Sequence, residues 1–252
     1  MTKRTDIGDE SRNLWWKKGR AFFLETREET IDSAGPLDVN PGGSGGIHIR
    51  GWDRSEVLVR TEIAAFANTE ADACRWASSV RVETAAGRIR ATGPDPIRDE
   101  GWSVNFELQV PRAAALTLNT ESGGISFDDF RGTAQFRARN GGLSLINVGG
   151  DLQGETTNGG VAVDLTGDHW DGPGLDVETR NGGVRLTIPK GYSAELETGT
   201  NNGGLITDFP ATVRSARNRR HLSATLGFGG SKIRAMTTNG GVTIRERQST
   251  AP

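Results

Sequence analysis

The sequence predicts an all-β chain wound as a single-domain β-solenoid, β-helix-like, of roughly 20-residue turns with one short packing helix. Three observations predict it. A glycine doublet returns in one setting: Ser122-Gly123-Gly124, then the same doublet after Asn140, Asn158, Asn181, Asn202 and Asn239. Alternating apolar and polar runs flank each doublet, such as Leu116, Leu118 and Thr120 before it and Ile125 and Phe127 after it. Period-two alternation reads as a half-buried strand. The corner itself repeats almost unchanged, which favours equal stacked units over a sandwich or barrel of hairpins, because stacking buries one continuous core.

Asn and Gly reach positive φ at low cost, and a sharp corner is expected to use that freedom. The structural corners are Asn140, Gly141, Asn158, Gly159, Asn181, Gly182, Asn202, Gly203, Asn239 and Gly240. Stacking would align their asparagines into a ladder.

The elements follow in order. Residues 1–30 are a polar tail and a first strand, with Leu14-Trp15-Trp16-Lys17-Lys18 and Ala21-Phe22-Phe23-Leu24 as short apolar patches at its start. Residues 31–114 form a leading β region. Within it Ser44-Gly45-Gly46-Ile47-His48-Ile49 repeats the corner theme. A helix near 68–80 is expected from Ala73, Trp76, Ala77 and Val80 at helical spacing, with Thr69 and Asp72 as a capping pair. Its Trp76 face should cover an end or side of the stack, where strand edges would otherwise stay open. Residues 115–247 are the regular repeats and 248–252 a short tail. Asp168–Pro173 and Asp208–Arg220 interrupt the array as insertions.

Composition narrows the function classes. A net charge of −2 gives no support for general nucleic-acid binding. One cysteine, Cys74, excludes an internal disulfide, and three scattered histidines make no metal-ligand spacing, so neither metal nor cofactor is expected. No stretch is long and apolar enough to span a membrane. The start lacks the apolar core of a secretory signal, which leaves a cytoplasmic location or a leader missing or placed differently.

Candidate ligand contacts are few. His169-Trp170 beside Pro173 offers a sugar-stacking patch or a seal on the core. Arg217, Arg219 and Arg220 in the second insertion suit phosphate or an anionic sugar, or simply solvent. A polysaccharide-cleaving β-helix would group its carboxylates on one outer face. Asp128, Asp129, Asp164, Asp168, Asp171, Asp208 and Arg185 show no such spacing, and no catalytic residue is assigned.

Gly51-Trp52-Asp53, the helix Thr69–Val80, Trp102-Ser103-Val104 leading to Val110-Pro111, and the series ending Thr237-Thr238-Asn239-Gly240-Gly241-Val242 resemble a bacterial "putative adhesin" family of unknown function, over about residues 30 to 246. The resemblance implies a β-solenoid of the cell envelope or exterior without an established catalytic motif. The expectation is a non-enzymatic, adhesin-like or envelope-associated scaffold that binds an unknown protein or glycan. A polysaccharide-active enzyme and a stress-response accessory with a cytoplasmic partner are the alternatives. The last strand, near Val242-Thr243-Ile244, leaves end-to-end or edge self-association open.

Overall fold

The computed structural model describes residues 20–32, 35–208, 214–217 (backbone only) and 220–247. Leu14–Lys18, most of the expected N-terminal tail and the tail at 248–252 lie outside these residues. The regular structure among the described residues is strand apart from one helix. In chain order it runs β1 (Ala21–Asp32), β2 (Leu37–Asn40), β3 (Ile47–Trp52), β4 (Glu56–Ala67), α1 (Glu70–Ser79), β5 (Arg81–Glu83), β6 (Arg88–Thr92) and β7 (Gly101–Pro111). The repeats follow as β8 (Ala115–Ser122), β9 (Ile125–Asp128), β10 (Thr133–Asn140), β11 (Leu143–Ile146), β12 (Asp151–Asn158), β13 (Val161–Asp164), β14 (Gly174–Asn181) and β15 (Val184–Pro189). The chain closes with β16 (Ala194–Asn202), β17 (Leu205–Thr207), β18 (Arg214–Arg217), β19 (His221–Leu226), β20 (Lys232–Asn239) and β21 (Val242–Arg247).

Two sheets enclose one core. The first has the order β1-β4-β7-β3-β9-β11-β13-β15-β21-β17, the second β18-β19-β16-β20-β14-β12-β10-β8-β2-β6-β5. Each coil sends one strand to the second sheet, turns at its glycine doublet, and sends the next strand to the first sheet. Pairing between coils is parallel and in register, as in Ala134 opposite Leu116 and Leu152, and Leu145 opposite Phe127 and Val163. A hairpin arrangement would have paired β10 with β11; the solenoid reading is the observed one. Inward positions hold small aliphatic side chains and a tilted trio of Phe127, Phe130 and Phe136, all buried.

Seven such coils stack, but not in chain order. The coil β2–β3 lies directly against β8–β9, so the leading region and the array share one core. Between them the chain leaves to build β4, α1 and β5–β7. Strand β7 joins the first sheet parallel to β3, and β4 and β1 extend it further with antiparallel pairing. Thr69 caps α1 by accepting the Asp72 N–H at 3.1 Å, and Ala73 and Ala77 are buried against β4 and β1. Trp76 is half-buried and donates its indole N–H to Glu100 at 3.0 Å. At the far end the last coil in sequence, β20–β21, sits between β14–β15 and β16–β17.

The corners need glycine for a reason other than the expected one. Gly141, Gly159, Gly182 and Gly203 do not adopt positive φ, and Gly123 and Gly240, at 156° and 157°, sit at the margin of extended backbone. What excludes a side chain is the neighbouring coil. A Cβ on Gly141 would lie 1.9 Å from the carbonyl oxygen of Gly123, and one on Gly159 2.2 Å from that of Gly141. Within the repeats the left-handed non-glycine residues stand on the opposite edge, where the coils return: Asp129 (φ 57°) and Asn147 (φ 50°).

Two ladders tie the corner edge together. The Asn158 amide donates to Asn140 at 2.8 Å; Asn181 donates to Asn158, Asn239 to Asn181 and Asn202 to Asn239, each at 2.9 Å. One layer deeper, Thr120, Thr156, Thr179 and Thr237 donate their hydroxyls to Gly45, Gly141, Gly159 and Gly182 carbonyls. Each of these four hydroxyls is thereby satisfied by the coil next to it, as a buried polar group requires, whereas the buried Thr200 hydroxyl in the same row has no partner among the described residues.

Candidate binding trough

The second glycine of each doublet opens onto the outer surface of the first sheet. A trough of about 1020 Å³ runs there across the strands. Gly124, Gly142, Gly160 and Gly183 form one wall. The floor is the row three residues after each first glycine: His48, Ser126, Ser144, Ala162, Arg185 and Thr243, aligned by the parallel register. From β7 to β21 the trough crosses six strand spacings, roughly 29 Å. Its middle stays open because Ser126, Ser144 and Ala162 carry little beyond Cβ.

Charge is set at the two ends. Beside β7 stand Arg60, Glu62, Asn105 and Glu107, with Arg60 Nη1 3.5 Å from Glu107. At the other end Arg185 is exposed. His48 Nδ1 lies 2.7 Å from Ser126 Oγ, and its Nε2 3.5 Å from Asp128 Oδ2. These three groups project from adjacent strands of a pleated face. Nearby backbone donors are used within the sheet, as Ile47 N–H is by Gly124 and Ile125 N–H by Gly142, so no preorganised oxyanion site faces the serine. The arrangement is a cross-strand polar cluster that can donate and accept hydrogen bonds.

The residues singled out in the sequence do not converge. His169 is exposed and lies 2.6 Å from Asp168, whose carboxyl its hydrogen bond holds below the usual range. Trp170 is 3% exposed and donates its indole N–H to the Gly150 carbonyl at 2.9 Å, so of the two expected roles the structure shows the core seal, with no indole face for a sugar. Arg220 is exposed and donates to the Asn201 carbonyl at 2.9 Å, near the corner end of β16, while His169 bridges to Ser193 at its return end. Arg217 belongs to β18 by its backbone, and Arg219 lies outside the described residues. Asp129 is bound into the return edge with Asn147 and Arg131, and Asp164 pairs with Arg247.

The outer face of the second sheet carries cross-strand ion pairs. Arg137 pairs with Glu155, and Arg234 with Asp176 and Glu178. Exposed pairs of this kind add little individually, but they mark register. Tyr192, sealed under the return edge, is pushed up to about 12 by burial and stays neutral. Among the described residues no group of His, Cys, Asp and Glu is placed to hold a metal ion, and no helix is long and apolar enough to cross a membrane.

A two-sheet β-solenoid with stacked glycine corners and an open polar trough is the class these features define. The chain belongs to the Toastrack DUF4097 family, whose profile matches residues 44–245. This agrees with the resemblance carried by the corner series. Among solved structures, a "putative cell adhesion protein" of Clostridium sporogenes is 12% identical, with 89% of this chain and 100% of that chain covered and a TM-score of 0.46. A "putative adhesin" of Bacteroides fragilis is 9% identical over 89% and 97%, with a TM-score of 0.37. A "putative lipid binding protein" of Parabacteroides distasonis is 10% identical over the same shares, with a TM-score of 0.30. No curated protein matches the chain.

Proposed function

We propose that the protein is a non-enzymatic binding scaffold, adhesin-like or envelope-associated, and that it lays an extended protein segment or glycan chain along the trough of the first sheet. The observation that carries this reading is the unbroken row of glycines and small side chains across the coils. A row of that kind keeps a long surface concave, with the hydroxyls of Ser144 and Thr243 and the charge of Arg185 along it to orient a ligand. The carboxylates that a polysaccharide-cleaving enzyme would gather are dispersed instead over both edges and both sheets.

The test is capture from envelope and cytosolic fractions of the host, with a glycan panel alongside, using the natural chain and Ala162→Trp. The indole would fill the middle of the trough from a position that already faces outward. Saturable capture by the natural chain, reduced at least tenfold in the variant with unchanged melting, is the expected result. Equal capture by both would move the contact off the trough. Release of sugar from the panel would overturn the non-enzymatic reading.

A further inference from the structure

The coil β20–β21 is last in chain order among the described strands and second to last in the stack. Its strands pair on both flanks: β20 with β14 and β16, β21 with β15 and β17. Asn239 is the rung between Asn181 and Asn202. Arg234 reaches back to Asp176 and Glu178, while Lys232 Nζ reaches forward to Glu197 at 2.5 Å. In the folded chain residues 232–247 thus fill a slot one coil wide, walled by β14 and β16 in the second sheet and by β15 and β17 in the first. The coil reaches the slot by a single turn, Gly227-Phe228-Gly229-Gly230-Ser231. Gly227 and Gly229 have φ of 52° and 76°, and Phe228 is fully exposed.

We infer that residues 232–247 form an exchangeable coil, and that the slot is a docking site for the same segment of a second copy of this chain. The slot has one demonstrated occupant, this sequence, and the ion pairs and the asparagine rung fix its register. A segment that hangs on one glycine turn and makes its strand pairings within one slot exchanges between copies at little cost, because every contact of the closed monomer is remade in the dimer. In the monomer the tether holds the segment at high effective concentration, so exchange needs opening of the coil or a tether that cannot reach.

The tether gives a direct test. Leu226 lies on one flank of β16, opposite Ala194; Ser231 lies on the other flank, accepting the Glu195 N–H at 3.1 Å. Two strand spacings separate them, about 9.6 Å. With residues 227–230 deleted, one peptide link of about 3.8 Å joins them, and the coil cannot enter its own slot. The deleted chain is expected to elute and scatter at twice its chain mass, with the melting transition of the natural protein. A monomer whose Thr237–Thr243 amides remain as protected from exchange as in the natural chain would overturn the inference. An independent arm uses the natural chain with two different tags, unfolded together and refolded at rising concentration. Mixed-tag dimers that persist after dilution and that do not form when native samples are mixed support exchange. Monomers alone at every concentration, or mixed dimers that form without unfolding, contradict it.

Discussion

The first and second glycines of each doublet are neighbours in sequence and do different work. The first faces the coil beside it: a Cβ on Gly182 would lie 2.0 Å from the Gly159 oxygen, and one on Gly240 2.1 Å from the Gly182 oxygen. No rearrangement short of unstacking makes that room. The second faces the trough. Cβ atoms at Gly142, Gly160 and Gly183 would come no closer than 3.1, 3.3 and 3.2 Å to the next carbonyl, a few tenths of an ångström inside ordinary contact. One row is therefore required by packing, and the other leaves the floor of the trough bare. A single repeated dipeptide thus couples the stability of the stack to the shape of its outer face.

Substitutions separate the two rows. Gly182→Val is expected to cost more than about 4 kcal/mol or to prevent folding, since the added atoms overlap backbone on the neighbouring coil; chemical denaturation reads it out. At the return edge, Asn147→Ala removes the partner of Arg131, Asp129 and Thr166 and leaves alanine at positive φ, for about 2 kcal/mol. A loss there as large as at Gly182 would erase the distinction between the edges. Asn158→Ala takes two exposed rungs out of the asparagine ladder and should cost about 1 kcal/mol in the same assay.

The smallest effect is one of pH, and it bears on the last coil. The hydrogen bond from Lys232 holds the Glu197 carboxyl below its ordinary 4.5. Because the folded value is the lower one, the stabilisation is present above 4.5 and is lost as pH falls from there through the folded value. Glu197 is partly exposed and screened by solvent, so the change is small. Melting of the natural chain should decline slightly more over that acid range than melting of Glu197→Gln, and parallel curves would remove the pair from the account.

Much of this was legible in the sequence because the repeat is written at the corner edge. Identical corners and alternating runs predicted the parallel stack and the asparagine ladder, and the spacing of Ala73, Trp76, Ala77 and Val80 after Thr69 predicted the capped helix. Three things were not legible. Gly159 reads the same whether it is needed for φ or for close approach, since glycine serves both. Nothing local in Lys232–Arg247 says that the coil goes between two earlier ones; only its charges, set against Asp176, Glu178 and Glu197 once register is known, say so. The trough row was present but unaligned: His48, Ser126, Ser144, Ala162 and Arg185 share an offset of three from the first glycine, yet their chemistry differs, so no motif repeats. Trp170 failed as a surface candidate because a loop insertion in a thin-cored fold also needs a large side chain to seal it.

The account rests most directly on the contrast between adjacent glycines, and urea unfolding of Gly159→Ala and Gly160→Ala tests it. The predicted result is a loss of several kcal/mol for Gly159→Ala, where the methyl carbon would sit 2.2 Å from the Gly141 oxygen, and about 1 kcal/mol or less for Gly160→Ala, where the nearest atom is 3.3 Å away. Equal losses, or the larger loss at Gly160, would contradict it.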